Sequence, residues 1–127
     1  MKLDIGKAVC DIITKDTALH ELVKNKVYPI VVDQDTSFPF IVYRRGGLTI
    51  SDNKNRYTPN KEATIEVVVV SMVYKEGLEI AESVVRCLCN SKGMYNGVDI
   101  KYVSLTDASE DYVEDAFVQT LTFKIIF

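Results

Sequence analysis

Apolar residues change period several times along the chain, and each change marks an element. Ile5, Val9, Ile12 and Ile13 recur at helical spacing, which predicts a short amphipathic helix over residues 5–14. Thr17 reads as the N-cap of a second short helix carrying Leu19, Leu22 and Val23. Residues 26–33 read as extended, with Pro29 placing them at a sheet edge or an irregular entry. Residues 38–45 predict a firmer strand, because Phe40, Ile41, Val42 and Tyr43 are strong β formers. Residues 62–73 are the clearest strand: consecutive Val67, Val68, Val69 and Val70 make both sheet faces apolar. Helices should cover one face, and another part of the chain or a partner the other. The polar stretch 46–61 between these strands carries Gly46-Gly47, Asp52-Asn53 and Pro59-Asn60 as turn signals. It reads as a long β-hairpin excursion, with Leu48, Thr49 and Ile50 able to extend a strand before the tip.

Residues 75–90 are the clearest helix. Leu78, Ala81, Val84, Val85 and Leu88 form one stripe, and Glu79, Glu82 and Arg86 lie away from it. Asn90, Gly93, Asn96 and Gly97 stop the helix and turn the chain. Two strands follow, 98–105 and 116–127; in the second, Phe117, Leu121, Phe123, Ile125 and Phe127 share one side. An acidic connection, 107–115, lies between them. The order predicts one α+β domain over residues 1–127. Its sheet is mainly antiparallel, with four to five strands, and one long and one or two short helices pack on one face. The first three strands are expected to pair as a meander.

The length of 127 residues fits one domain. A hydrophobic fraction of 47% with 26% charged residues argues against disorder. No stretch approaches the ~20 apolar residues of a membrane span, so no membrane association is expected. Met1-Lys2-Leu3-Asp4 opens no long apolar run, so no signal peptide is expected either. The odd set Cys10, Cys87 and Cys89 does not suggest a disulfide framework and fits a reducing compartment.

Candidate chemistry is sparse. His20, the sole histidine, has no nameable nucleophile and orienting acid for a triad, and reads as a polar residue on a helix face. Cys87 and Cys89, two apart on a helix, point in different directions and cannot share an ion; they read as structural thiols. Gly46-Gly47 is followed by no helix start and no Gly-Lys-Ser/Thr, so it reads as a turn and not as a phosphate loop. No catalytic residue, metal site or cofactor is expected.

Two charged stretches stand out against a net charge of −3, which carries no general basic excess for nucleic acid. Asp107, Glu110, Asp111, Glu114 and Asp115 are the densest run of carboxylates. They lack the EF-hand spacing and read as a solvated connection, with a cation site or acid–base pair as the sharper alternative. Arg44, Arg45, Lys54, Arg56 and Lys61 make residues 44–61 locally basic, with Tyr57 interleaved. A solvated hairpin and a nucleic-acid contact are both open there. A third reading joins the two stretches: they meet between neighbouring copies, as two different patches in a head-to-tail contact that closes a ring.

The run Leu19-His20-Glu21-Leu22-Val23 followed by Val27-Tyr28-Pro29 resembles the opening of the small tail-completion, or tail-terminator, proteins of long-tailed bacteriophages and prophages. Phe38-Pro39-Phe40-Ile41-Val42-Tyr43 resembles the strand that follows in that family. Residues 64–70 resemble its central strand, 74–88 its long helix, and the segment ending at Phe127 its closing strand. The family often carries an aromatic residue near the end of the central strand, where this chain has Ser71-Met72-Val73-Tyr74. The resemblance implies a non-enzymatic virion-tail protein, assembled in the host bacterial cytoplasm. It implies a homo-oligomeric, hexameric ring that caps the head-proximal end of the tail tube and stops its polymerisation. The partners implied are the tail tube protein and the head-connector protein. DNA would pass through the lumen, so the basic residues face either a neighbour or that channel. Another tail or neck component of the same fold, and a nucleic-acid-contacting module using residues 44–61, are the alternatives.

Overall fold

The computed structural model describes residues 3–51 and 60–127. Helices α1 (Ile5–Lys15) and α2 (Thr17–Val23) lead into strands β1 (Val27–Pro29), β2 (Phe40–Ser51) and β3 (Asn60–Ser71). Helix α3 (Tyr74–Cys89) follows, then a small hairpin of β4 (Gly93–Tyr95) and β5 (Val98–Ile100), then β6 (Tyr102–Val113) and β7 (Ala116–Ile126). The five-stranded sheet has the order β1-β2-β3-β7-β6. The mixed α+β class and mostly antiparallel sheet agree with the sequence reading.

The core lies between the helices and one sheet face. Ala63, Ile65, Val67 and Val69 of β3 are buried while the residues between them are half-buried, the period-two signature of a face. Leu121, Phe123 and Ile125 of β7 continue this layer, with Ile41 and Tyr43 of β2. From the other side come Ile5, Val9 and Ile13 of α1, Leu19 and Val23 of α2, and Ile80, Val84 and Leu88 of α3. Each such side chain contributes about 1.5–3 kcal/mol relative to exposure. The valine run behaves as its apolar pattern requires: Val67 and Val69 face the helices, and Val68 and Val70 lie half-buried on the far face.

Several elements differ from the sequence reading, each for a local reason. Only Val27–Pro29 of the first extended segment is strand, and it pairs in parallel with Ile41, Val42 and Tyr43, so the first three strands are not a meander. After Pro29 the backbone turns away: Ile30 takes a φ of 68°. Gly46-Gly47 is no turn. It sits inside β2, where the pairing with β3 shifts register between Arg45 and Leu48, a bulge that glycines tolerate. Pairing with β3 then continues to Ser51–Asn60, so the hairpin belongs to the sheet at least that far. Residues 52–59 lie outside the described residues. The acidic connection is mostly strand β6, paired along its length with β7. Asp16, not Thr17, caps α2: its carboxylate accepts the Leu19 N–H at 3.1 Å. In α3 the stripe is rotated from the one expected. Ile80 and Cys87 are buried, whereas Leu78 and Val85 are only half-buried.

Candidate assembly interface

The acidic residues alternate across β6. Register places Asp107 opposite Thr122 and Asp111 opposite Val118 on the far face, and Glu110 opposite Gln119 on the helix-side face. Strand geometry therefore splits the carboxylates, and they form no single pocket. Among the described residues no group of three or more His, Cys, Asp or Glu could hold a metal ion. Glu110 is the most engaged. Its Oε2 accepts the Gln119 amide at 2.9 Å and the Tyr74 hydroxyl at 2.8 Å. Those two bonds hold the Glu110 carboxyl below its usual range and push the Tyr74 hydroxyl up. They also tie the first turn of α3 to the edge strand, together with Phe117, whose ring lies 5.5 Å from Tyr74 and 4.9 Å from Tyr112. Glu114 and Asp115 form the two-residue turn to β7, both at positive φ (50° and 65°).

The described basic residues lie on the other side of the sheet. Arg44 faces its register partner Glu66 and forms a 3.4 Å ion pair with it. The exposed Arg45 donates from Nε to the Leu3 carbonyl at 3.2 Å, pinning the start of the chain to β2. The Lys61 ammonium sits 6.0 Å from the Phe127 ring centroid. Lys54 and Arg56 lie outside the described residues. β3 and β7 separate β2 from β6, a gap of three strand spacings or about 14 Å. The two charged stretches thus do not meet within one chain. Arg44 and Arg45 on β2 and the acidic run on β6 lie toward opposite edges of one sheet, while Lys61 lies on the central strand β3.

Both edges are open in different ways. β1 covers only residues 41–43 of β2, and β6 is the last strand on its side. Unpaired edges invite further pairing, and the Asp107 and Asp111 carboxylates with the register shift between Leu105 and Asp107 discourage indiscriminate strand addition. Sequence reasoning missed Tyr74, Tyr112 and Phe117 as a cluster, since only the α3–β6 junction brings them together.

The thiols are poorly placed for chemistry. Burial pushes the Cys87 thiol up to about 12, and burial likewise raises Cys10, which keeps both protonated and weakly nucleophilic. Cys87 is buried and Cys89 exposed, pointing apart as expected. A hollow of about 360 Å³ between α1 and α3 is lined by Asp11, Lys15, Asp16, Arg86, Ser91 and Tyr95. Two of its four charges are matched to each other, with Arg86 Nη2 3.1 Å from Asp16 Oδ2. No described helix is long and apolar enough to cross a membrane.

No family model matches the chain, and no curated protein matches it by sequence. Among solved structures, a chain of the virion of a native gene transfer agent particle is similar to it, with a TM-score of 0.76. The match covers 93% of this chain and 90% of that one at 16% sequence identity. At that identity the likeness shows a common fold: the helix-covered sheet described above is an arrangement that a virion component also adopts.

Proposed function

We propose that this chain is a structural subunit of a phage-type virion, and within it a tail-completion protein. It forms a homo-oligomeric, hexameric ring that caps the head-proximal end of the tail tube, ends tube polymerisation and joins the tail to the head connector. It is not an enzyme, and its place is the virion tail after assembly in the host bacterial cytoplasm. The observation that carries this reading is the likeness to a gene transfer agent virion chain over nearly the full length of both. The surface supports it. Arg44 and Arg45 on β2 and the acidic residues on β6 lie toward opposite edges of the sheet, which suits a head-to-tail contact between copies. In this contact Arg44, Arg45, Lys54, Arg56 and Lys61 of one copy face Asp107, Glu110, Asp111, Glu114 and Asp115 of the next.

A second reading, another tail or neck component, is favoured by the same likeness, because a fold does not fix a position within a particle. The two are separated by adding the purified protein to polymerising tail tube protein and imaging by negative stain. Tail completion predicts short tubes capped by a ring at one end, with light scattering giving the ring's mass. Tubes of unchanged length with bare ends would refute the capping role and leave the neck position.

A further inference from the structure

Two isolated features of the edges line up once the sheet register is followed. On the β1 side, Leu3, Ile30 and Val31 are exposed, Ile30 by 69% and Val31 by 73%. Ile30 is also held at a φ of 68°. A β-branched residue in the left-handed region is strained, and such strain clusters where a segment serves a contact. On the β6 side, Leu78, Ala81, Val85, Leu105, Ala108 and Leu121 line an apolar groove of about 280 Å³ between α3 and the edge strand. The half-buried flank of α3 is what leaves it open.

The two features lie at the same height along the strands. The Ile30 N–H donates to the Tyr43 carbonyl at 2.8 Å, and the Arg45 Nε to the Leu3 carbonyl at 3.2 Å, which set the knob at Tyr43 and Arg45. Tyr43 pairs with Val67, Val67 with Leu121, and Leu121 with Ala108. Arg45 likewise leads through Ile65 and Phe123 to Leu105. Knob and groove therefore end the same two rows of the sheet. Their rims differ in charge: Lys7, Arg44 and Arg45 outnumber Asp4 beside the knob, and Glu82 lines the groove.

We infer that the groove between α3 and β6 receives the Leu3–Ile30–Val31 knob of a second copy of this chain. The inference rests on the ring reading above and names its contact. Patches at equal height leave little rise between copies when the axis runs along the strands, which is what a contact that closes into a ring requires. The apolar knob supplies adhesion, and the charged rims set orientation.

Two variants of the full chain test it. Ile30→Gly removes the side chain while accepting the left-handed backbone, so the fold should melt no earlier than wild type. Association should nonetheless weaken at least about tenfold by light scattering, the loss expected for one buried isoleucine. Ile30→Cys with Ala108→Cys, in a background where Cys10 and Cys89 are serine, should give a ladder of disulfide-linked oligomers on oxidation. Within one chain these positions are about 14 Å or more apart, beyond the roughly 7 Å Cα limit for a disulfide, so every bridge links two copies. Unchanged assembly of Ile30→Gly, the absence of a ladder, or a wild-type chain that stays monomeric at low salt and high concentration would each overturn the contact. The tail-completion role is judged separately by tube capping, so the contact can fail while that role stands.

Discussion

Single residues in this protein often do two jobs, and Asp16 shows how they can be separated. Its carboxylate caps α2 through the Leu19 N–H and pairs with Arg86 of α3. The Arg86 side chain is half exposed, so solvent screens the ion pair and the cap is the larger contribution. Asp16→Ala should therefore lower stability by about 0.5–2 kcal/mol in urea unfolding. Burial alone would raise the Asp16 pKa, but the Arg86 and Leu19 hydrogen bonds outweigh it and hold the carboxyl below its usual 3.8. A folded-state value below the unfolded one gives stability that is present above pH 3.8 and lost as the pH falls through the lower folded value. Asp16→Asn keeps a good capping oxygen and removes the charge. Its stability should fall less steeply than that of wild type below that pH, and parallel acid unfolding curves would show that Asp16 does not titrate this way.

At the level of elements, the β6–β7 hairpin carries the clearest conflict between local preference and observed form. β6 is rich in acidic residues, which are depleted in strands, and its turn places Glu114 and Asp115 at positive φ. A two-residue hairpin turn of this kind favours Asn-Gly. Replacing Glu114 with Asn and Asp115 with Gly should stabilise the fold by about 1 kcal/mol, seen as a higher melting temperature. No gain would mean that this turn is unstrained. The same conflict makes the strand look like a connection in the sequence. Nothing in residues 107–115 alternates apolar with polar, because the edge strand meets α3 only at its margin and has little to bury. By contrast, β3 announces itself by its four valines and β7 by its alternation, since both are flanked by strands and covered on one face. Helix α3 was legible in extent, but its buried stripe was off by part of a turn. Leu78 and Val85 match a core pattern as well as Ile80 and Cys87 do; only the seating of α3 on the sheet decides between them.

For the whole molecule, the arrangement of charge predicts behaviour that neither stretch has alone. Reversing Arg44 and Arg45 to Glu, or Asp107 and Asp111 to Lys, should each abolish assembly at low salt, because like charges then meet across the contact. Mixing the two variants should restore it, with copies alternating around the ring. Assembly of wild type should weaken as salt rises, since the Debye length shortens from about 10 Å at 0.1 M to about 3 Å at 1 M. Size-exclusion chromatography with light scattering reads all three. Failure of the mixture to assemble would show that these edges are not the two halves of one contact.

The amino-acid sequence by itself determined the extent of the main helices, the central strands with the faces they bury, and the segregation of charge into a basic and an acidic stretch. These follow from periodicity and composition, which act over a few neighbouring residues. The tertiary structure alone decided that β1 runs parallel to β2, that β7 enters between β3 and β6, and that the acidic stretch is an edge strand. It also decided that Ile30 stands level with Ala108 across four strands. Register and edge position are set by contacts between residues far apart in the chain, and local propensity carries no record of them.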